Sequence, residues 1–405
     1  MRQIGVWWTS ARAGAIALAA CLALAACAGG PPKGVLEPVG GIPADASAVA
    51  IHVATTRARA ADLPIEMFTG ERGRRTDHAR LVISIPPGHK PGEVEWPRRA
   101  QGDPKRFFVT AAREFQTDDA FVQSVRAAVA SRKPADRSIL VFVHGYNTTF
   151  EESVYRFAQI VHDSGFKGVP VLFTWPSRGQ LLQYPYDRES AVYSRDDLEA
   201  TLRELASRTG AQKIDLLAHS MGNFLAMETM RQATIRGDGR FSGKLGQVML
   251  AAPDIDIDVF RRQLLTIAPL KLPITVFVSS DDRALGISKL VWGGTARAGA
   301  TVISDPEVLE RLKEANITVY DISAVKSDDS LKHAKFADSP QVVQLIGQRL
   351  ASDNGIGTRG PTLGEGIVAL GSTLGATVGT TVGTAVSLPG AVLGGAAEAA
   401  GAVLE

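Results

Sequence analysis

Residues 213–224 read Lys-Ile-Asp-Leu-Leu-Ala-His-Ser-Met-Gly-Asn-Phe, and they constrain the chain more than any other stretch. Ile214, Leu216 and Leu217 form an apolar run too short for a helical period, which predicts a strand. Phe224, Leu225, Met227 and Met230 then recur at helical spacing. Between the two stands Ser220, with Ala218 and Gly222 two residues to either side. Small residues there let helix and strand approach, and the sharp turn lifts the serine hydroxyl clear of the backbone. The helix also aims the positive end of its dipole at the same point, which suits a developing oxyanion. The ordinary alternative is a helix N-cap serine. In a chain with 40 glycines the small-x-Ser-x-Gly pattern can also arise by accident, so its context decides.

That context is an alternation of strands and helices. Residues 47–56, 81–85 and 107–111 read as three early strands, at a spacing that suits an antiparallel start. Phe121, Val122, Val125 and Val129 predict a helix. Residues 138–143 and 169–175 are continuous apolar runs, as expected of strands buried on both faces. Phe150, Val154, Phe157, Ala158 and Val161 mark a helix between them, and Leu198, Leu202 and Leu205 another before the Ser220 strand. Further strands are expected at 248–252, 274–279 and 317–322. A helix opening at Pro306 and one through Val342, Val343, Ile346 and Leu350 complete the pattern. Such repetition predicts an α/β fold with a mainly parallel, doubly wound sheet of about eight strands.

Three loops carry residues suited to acyl transfer. The strand at 138–143 runs into His144-Gly145-Tyr146-Asn147, where backbone amides could face an oxyanion. The His144 imidazole reads as a loop-shaping group, and Asn147 as a loop brace or a substrate contact. His333 is the only histidine after Ser220, in a segment rich in Ser and Asp. A carboxylate is needed to fix its tautomer, and Asp281, Asp282 and Asp254 all follow strands. The segment 178–193, with Tyr184, Tyr186 and Tyr193, belongs above the strand ends, as a pocket wall or a loop packing its own tyrosines.

Five motifs carry a family resemblance: Val53-Ala-Thr-Thr-Arg57, Ile85-Pro-Pro-Gly-His-Lys-Pro-Gly, Phe142-Val-His-Gly-Tyr-Asn147, Leu217-Ala-His-Ser-Met-Gly222 and Asp282-Arg-Ala-Leu285. Over residues 47–350 the chain resembles a bacterial α/β-hydrolase family of largely uncharacterised function. The resemblance implies the α/β-hydrolase fold and a serine hydrolase with residues in the order serine, acid, histidine. It points to Ser220 as nucleophile, His333 as base and Asp282 as acid, with Asp281 the close second and Asp254 a loop support. It further implies an oxyanion hole from the amides of Tyr146 and Met221. The expected activity is esterase- or lipase-like, on an ester or lipid-like substrate. The alternatives are an acyltransferase or peptidase with the same triad, and a non-catalytic envelope-anchored binding protein on this scaffold.

The ends differ from this body. Arg2 and Arg12 precede an apolar segment ending Leu24-Ala25-Ala26-Cys27, which reads as a signal peptide over 1–26. That end resembles a bacterial lipobox, with Cys27 as the lipidated residue, no retention aspartate at Ala28, and outer-membrane anchoring facing the periplasm. Residues 27–46 read as a tether and 47–352 as the catalytic domain. Residues 353–405 form a Gly/Ala-rich tail. Its glycines at 371, 375, 379 and 383 leave it either a low-complexity segment or a membrane-associated one. The formal net charge of +2 gives no electrostatic case for nucleic acid. Arg72 to Arg75 reads as a solvated loop. Both cysteines, Cys21 and Cys27, precede the body, and the histidines show no Cys/His cluster in sequence. Neither a metal nor a cofactor is expected.

Overall fold

A computed structural model describes residues 31–61, 65–291, 295–301, 306–327, 329 and 331–351. The signal peptide, Cys27 and the tail from 353 onward lie outside the described residues. Among the described residues no helix is long and apolar enough to cross a membrane.

Among the described residues the sheet has nine strands in the order β3-β2-β1-β5-β4-β6-β7-β8-β9. β1 (Ser47–Arg59), β2 (Phe68–Ile85) and β3 (Val109–Gln116) form the antiparallel start. β1 then joins β5 (Val169–Thr174) in parallel. β4 (Ser138–Val143), β6 (Lys213–His219), β7 (Leu245–Ala251), β8 (Ile274–Val278) and β9 (Ile317–Asp321) continue the parallel part.

β4 shows why apolar runs become central strands. Ile139, Val141 and Val143 enter the core on one face, while Leu140 and Phe142 enter the core on the other. The first core is closed by α1 (Asp118–Ala130), α4 (Arg195–Arg208), α5 (Met221–Ile235) and α6 (Ile257–Ile267). The second is closed by α2 (Phe150–Asp163) and α10 (Pro340–Ala351). Each fully buried aliphatic or phenyl side chain contributes about 1.5–3 kcal/mol, so both faces hold the strand rigid. Four further helices complete the described residues: α3 (Tyr184–Tyr193), α7 (Arg283–Val291), α8 (Pro306–Glu314) and α9 (Lys335–Asp338).

Three expectations need correction. Arg72 to Arg75 is not a loop but part of β2, whose register slips twice against β1 between Thr55 and Arg59. There Arg72 donates to Ser190 Oγ at 3.0 Å and lies over the Tyr186 ring at 4.7 Å, so this polar strand is held from above by α3. The segment 178–193 is largely helical, and Tyr193 donates to the Gly73 carbonyl at 2.5 Å. The stretch read as tether is described from residue 31, and it packs on the body instead of hanging free. Val35 and Leu36 are buried, and the Val35 carbonyl accepts from Tyr155 Oη at 2.9 Å.

Candidate active site

Ser220 caps β6 with φ +54° and ψ −122°, a conformation L-residues rarely adopt, costing on the order of 1–3 kcal/mol. Local bonds hold it there. The Ser220 N–H donates to Ala251 O at 2.9 Å, and the Ser220 carbonyl accepts from Asn223 N at 3.0 Å and Asp254 N at 3.2 Å. The Asn223 amide spans the elbow, donating to Ser220 O at 3.1 Å and Ala251 O at 2.8 Å. A Cβ at Gly222 would overlap the His144 and Val143 carbonyls, which do not yield. A Cβ at Gly145 would lie 2.8 Å from His219 Nδ1 and 2.9 Å from Ser220 Cβ. Glycine at both positions therefore lets the loop after β4 press against the elbow.

Neither the amide of Tyr146, in that loop, nor that of Met221, which opens α5, finds an acceptor among the described residues. The loop is braced by His144, as its place in the sequence suggests, and by Arg57 and Asp187, to which the sequence reading gives no role. His144 Nδ1–H donates to Gly145 O at 2.8 Å, and His144 Nε2 accepts from Trp175 N at 3.1 Å. Its ring stacks on Trp175 at 4.9 Å. Burial, reinforced by the Arg57 charge, holds its pKa well below 6.5, so it is a fixed neutral bracket.

Arg57 is buried and donates to Thr148 O at 2.8 Å, Ser177 O at 2.8 Å and Thr174 Oγ1 at 2.9 Å. Burial pulls its pKa down to about 10, tempered by Glu151, Asp187 and Glu152, so it stays charged near neutrality. Asp187 accepts from Ser177 Oγ at 2.6 Å, Asn147 N at 3.1 Å and Arg178 N at 3.1 Å. Asn147 itself sits at φ +55°, so it serves the turn through its backbone.

The loops after β8 and β9 meet at His333. Its Nδ1–H donates to Asp282 Oδ2 at 2.7 Å, while Asp282 Oδ1 accepts from Leu285 N at 3.0 Å. Burial alone would depress the His333 pKa, but the Asp282 hydrogen bond and charge, with Asp254 and Asp329, raise it above 6.5. Asp329 accepts from the His333 backbone N–H at 2.8 Å.

The adjacent Asp281 is otherwise engaged. It accepts from Lys335 Nζ at 2.6 Å, Lys332 Nζ at 2.8 Å and Ser279 Oγ at 2.5 Å. Burial would raise its pKa, and the two lysines and the serine more than reverse this, holding it well below the usual carboxylate range. Asp254 is occupied too, accepting from Tyr184 Oη at 2.5 Å and Ser288 Oγ at 2.7 Å beside Arg297 at 3.4 Å.

His219, the residue before Ser220, contacts His333. The His219 Nε2–H donates to His333 O at 3.2 Å, and the two rings lie 4.7 Å apart. His219 also stacks on Phe336 at 4.3 Å, and burial first, then the neighbouring His333, hold its pKa well below 6.5. No hydrogen bond joins the Ser220 hydroxyl to the His333 imidazole among the described residues. Resting sites of this type often close that bond only around substrate. Tyr146 lies beside the elbow, its ring 4.9 Å from Tyr184 and its hydroxyl donating to Leu181 O. Among the described residues, one group of three metal-ligating side chains converges, His89, His162 and Asp163, and none of the three is a site residue named above.

A strained serine at a strand–helix apex on a mostly parallel sheet, with a histidine–aspartate pair on the last loops, defines an α/β hydrolase. The chain belongs to the family described as alpha/beta hydrolase of unknown function (DUF900), whose model matches residues 119–349, more than half of its 405 residues. An uncharacterized protein of Nostoc sp., alr1448, is 26% identical over 126 residues, spanning 25% of this chain and 33% of that relative's length. Among solved structures, an esterase of Pyrobaculum calidifontis is similar at 13% identity and TM-score 0.32, covering 68% of this chain and 80% of its own. A Rhizomucor miehei esterase is similar at 12% identity and TM-score 0.31, over 80% and 98% respectively.

Proposed function

We propose that this α/β hydrolase is a serine hydrolase of carboxylic esters, with Ser220 as nucleophile, His333 as general base and Asp282 as its orienting acid. The observation that carries the reading is the pairing of His333 Nδ1 with Asp282 at 2.7 Å, its ring 4.7 Å from that of His219, the residue that precedes a serine of strained backbone. With Nδ1–H committed to Asp282, Nε2 is the basic nitrogen available to the serine. His333 Nε2 takes the Ser220 proton as Oγ bonds to the ester carbonyl carbon, and the oxyanion receives the amides of Tyr146 and Met221. The imidazolium returns its proton to the alkoxide, and the alcohol leaves. Water then loses a proton to His333 and attacks the acyl-enzyme, releasing the acid and regenerating Ser220.

An apolar acyl group suits the surroundings. Leu181 and Leu182 are 63% and 92% exposed beside the Tyr146 hydroxyl, offering a greasy lip near the elbow. Export and anchoring through Cys27 belong to the same proposal, with Cys27→Ser expected to move the protein from membrane to soluble fractions. Hydrolysis of p-nitrophenyl esters from acetate to palmitate tests the activity. The expected result is a burst of nitrophenol equal to the enzyme present, followed by slower turnover that His333→Ala abolishes. Turnover undiminished in His333→Ala would refute the reading. Amide cleavage or transfer to an added alcohol without net hydrolysis would instead favour a peptidase or acyltransferase.

A further inference from the structure

His89, in the turn after β2, meets His162 and Asp163 at the end of α2. Both imidazoles face one oxygen: His89 Nε2 is 2.8 Å and His162 Nδ1 2.9 Å from Asp163 Oδ1. The ligand atoms of all three residues lie within 4.8 Å of one another. The far side of two of these groups is already committed. His89 Nδ1 faces Glu95 Oε2 at 2.8 Å, and Asp163 Oδ2 accepts from Gln159 Nε2 at 2.7 Å and Gly92 N at 2.7 Å. His89 and Asp163 side chains are 4% and 1% exposed, whereas His162 is 32% exposed and opens the cluster to solvent.

With its Nδ1–H given to Glu95, a neutral His89 turns the lone pair of Nε2 toward a carboxylate oxygen. That lone pair and the carboxylate repel unless positive charge lies between them, whereas a neutral His162 can give its Nδ1–H to Asp163 Oδ1. The charge is either a second proton on His89 or a metal ion, which would also turn the His162 Nδ1 lone pair inward. Two imidazole nitrogens and one carboxylate oxygen are the donor set that zinc takes with a water in the fourth position. The glutamate behind His89 and the amides behind Asp163 are the outer partners that orient such ligands.

We infer that His89, His162 and Asp163 bind a divalent first-row cation, zinc by preference, completed by solvent on the His162 side. The ion would be structural. It ties the Gly92 turn to α2, and a Cβ at Gly92 would overlap the carbonyl of Asp338, in the helix that follows His333.

The test is titration of the full, chelator-stripped chain with Co2+ by visible absorption and with Zn2+ by calorimetry. One equivalent should bind, with the d–d bands of a four-coordinate site, and Zn2+ should displace Co2+. His162→Gln and Asp163→Asn should each abolish this binding, and Glu95→Gln should weaken it about 10–100-fold. Zn2+ should raise the melting temperature of the unsubstituted chain and leave that of His162→Gln unchanged. Ser220→Ala should bind as the unsubstituted chain does, separating this site from the hydrolase centre. Absence of saturable binding at one equivalent, or binding that survives both His162→Gln and Asp163→Asn, would overturn the inference and leave protons as the bridging charge.

Discussion

Exchanging Asp282 for asparagine tests how the base is prepared. Oδ1 of Asp282 is fixed by the Leu285 N–H at 3.0 Å, so in Asp282→Asn that acceptor role keeps the amide oxygen in place. The amide NH2 then takes the Oδ2 position, 2.7 Å from His333 Nδ1. Two donors cannot share that contact. His333 would give up its Nδ1 proton and carry it on Nε2, the nitrogen that must accept from Ser220. A wrong tautomer in such a triad lowers kcat by about 10⁴, which corresponds to about 5.4 kcal/mol of barrier.

Asp281→Asn is the matched control, because Asp281 serves Lys332 and Lys335 and makes no bond to His333. It should lose less than about tenfold in kcat, since it leaves the tautomer untouched, and it should lower the melting temperature. Stopped-flow acylation by p-nitrophenyl butyrate measures both variants. Equal losses in the two, or an Asp282→Asn rate within tenfold of the unsubstituted enzyme, would refute the reasoning.

Further outcomes follow from the same contacts. The base must be neutral to act, and the His333 pKa is raised, so kcat/KM should climb with pH through a limb centred above 6.5; a midpoint at or below that value contradicts the Asp282 pairing. Conversely, the stability this pairing supplies is complete below the unfolded histidine pKa and is lost as pH rises through the folded one, readable in urea midpoints across that window. His144→Phe keeps the stack on Trp175 but strands the Trp175 N–H, costing about 1–3 kcal/mol. It should slow acylation through loop displacement without moving the pH limb. Arg57→Met leaves the Thr148 and Ser177 carbonyls without their donor and should cost about 3 kcal/mol in denaturant unfolding, with Arg57→Lys giving little rescue.

What the sequence discloses is what local order encodes. The elbow is legible because strand, turn and helix are contiguous around Ser220, and His333 because chain order leaves one histidine after it. Between Asp281 and Asp282 the spacing of the motif alone discriminates, and the side chains separate them only when Lys332, Lys335 and His333 fold onto the turn. Arg57 appears in sequence as a motif residue without a task, because its acceptors at Thr148, Thr174 and Ser177 lie 91, 117 and 120 residues further along the chain. Arg72 to Arg75 misleads because this end of β2 gets its order from Tyr186, Ser190 and Tyr193 of a distant helix and not from apolar alternation. His89 and Asp163 are 74 residues apart, so no linear scan for ligand spacing finds their cluster.

The central claim is that the hydroxyl at position 220 is an activated nucleophile. A fluorophosphonate probe followed by peptide mapping tests this most directly. The account predicts one adduct per chain, on Ser220, strongly slowed by Asp282→Asn and His333→Ala and absent in Ser220→Ala. An unlabelled protein, or an adduct on another residue that persists in Ser220→Ala, would contradict it.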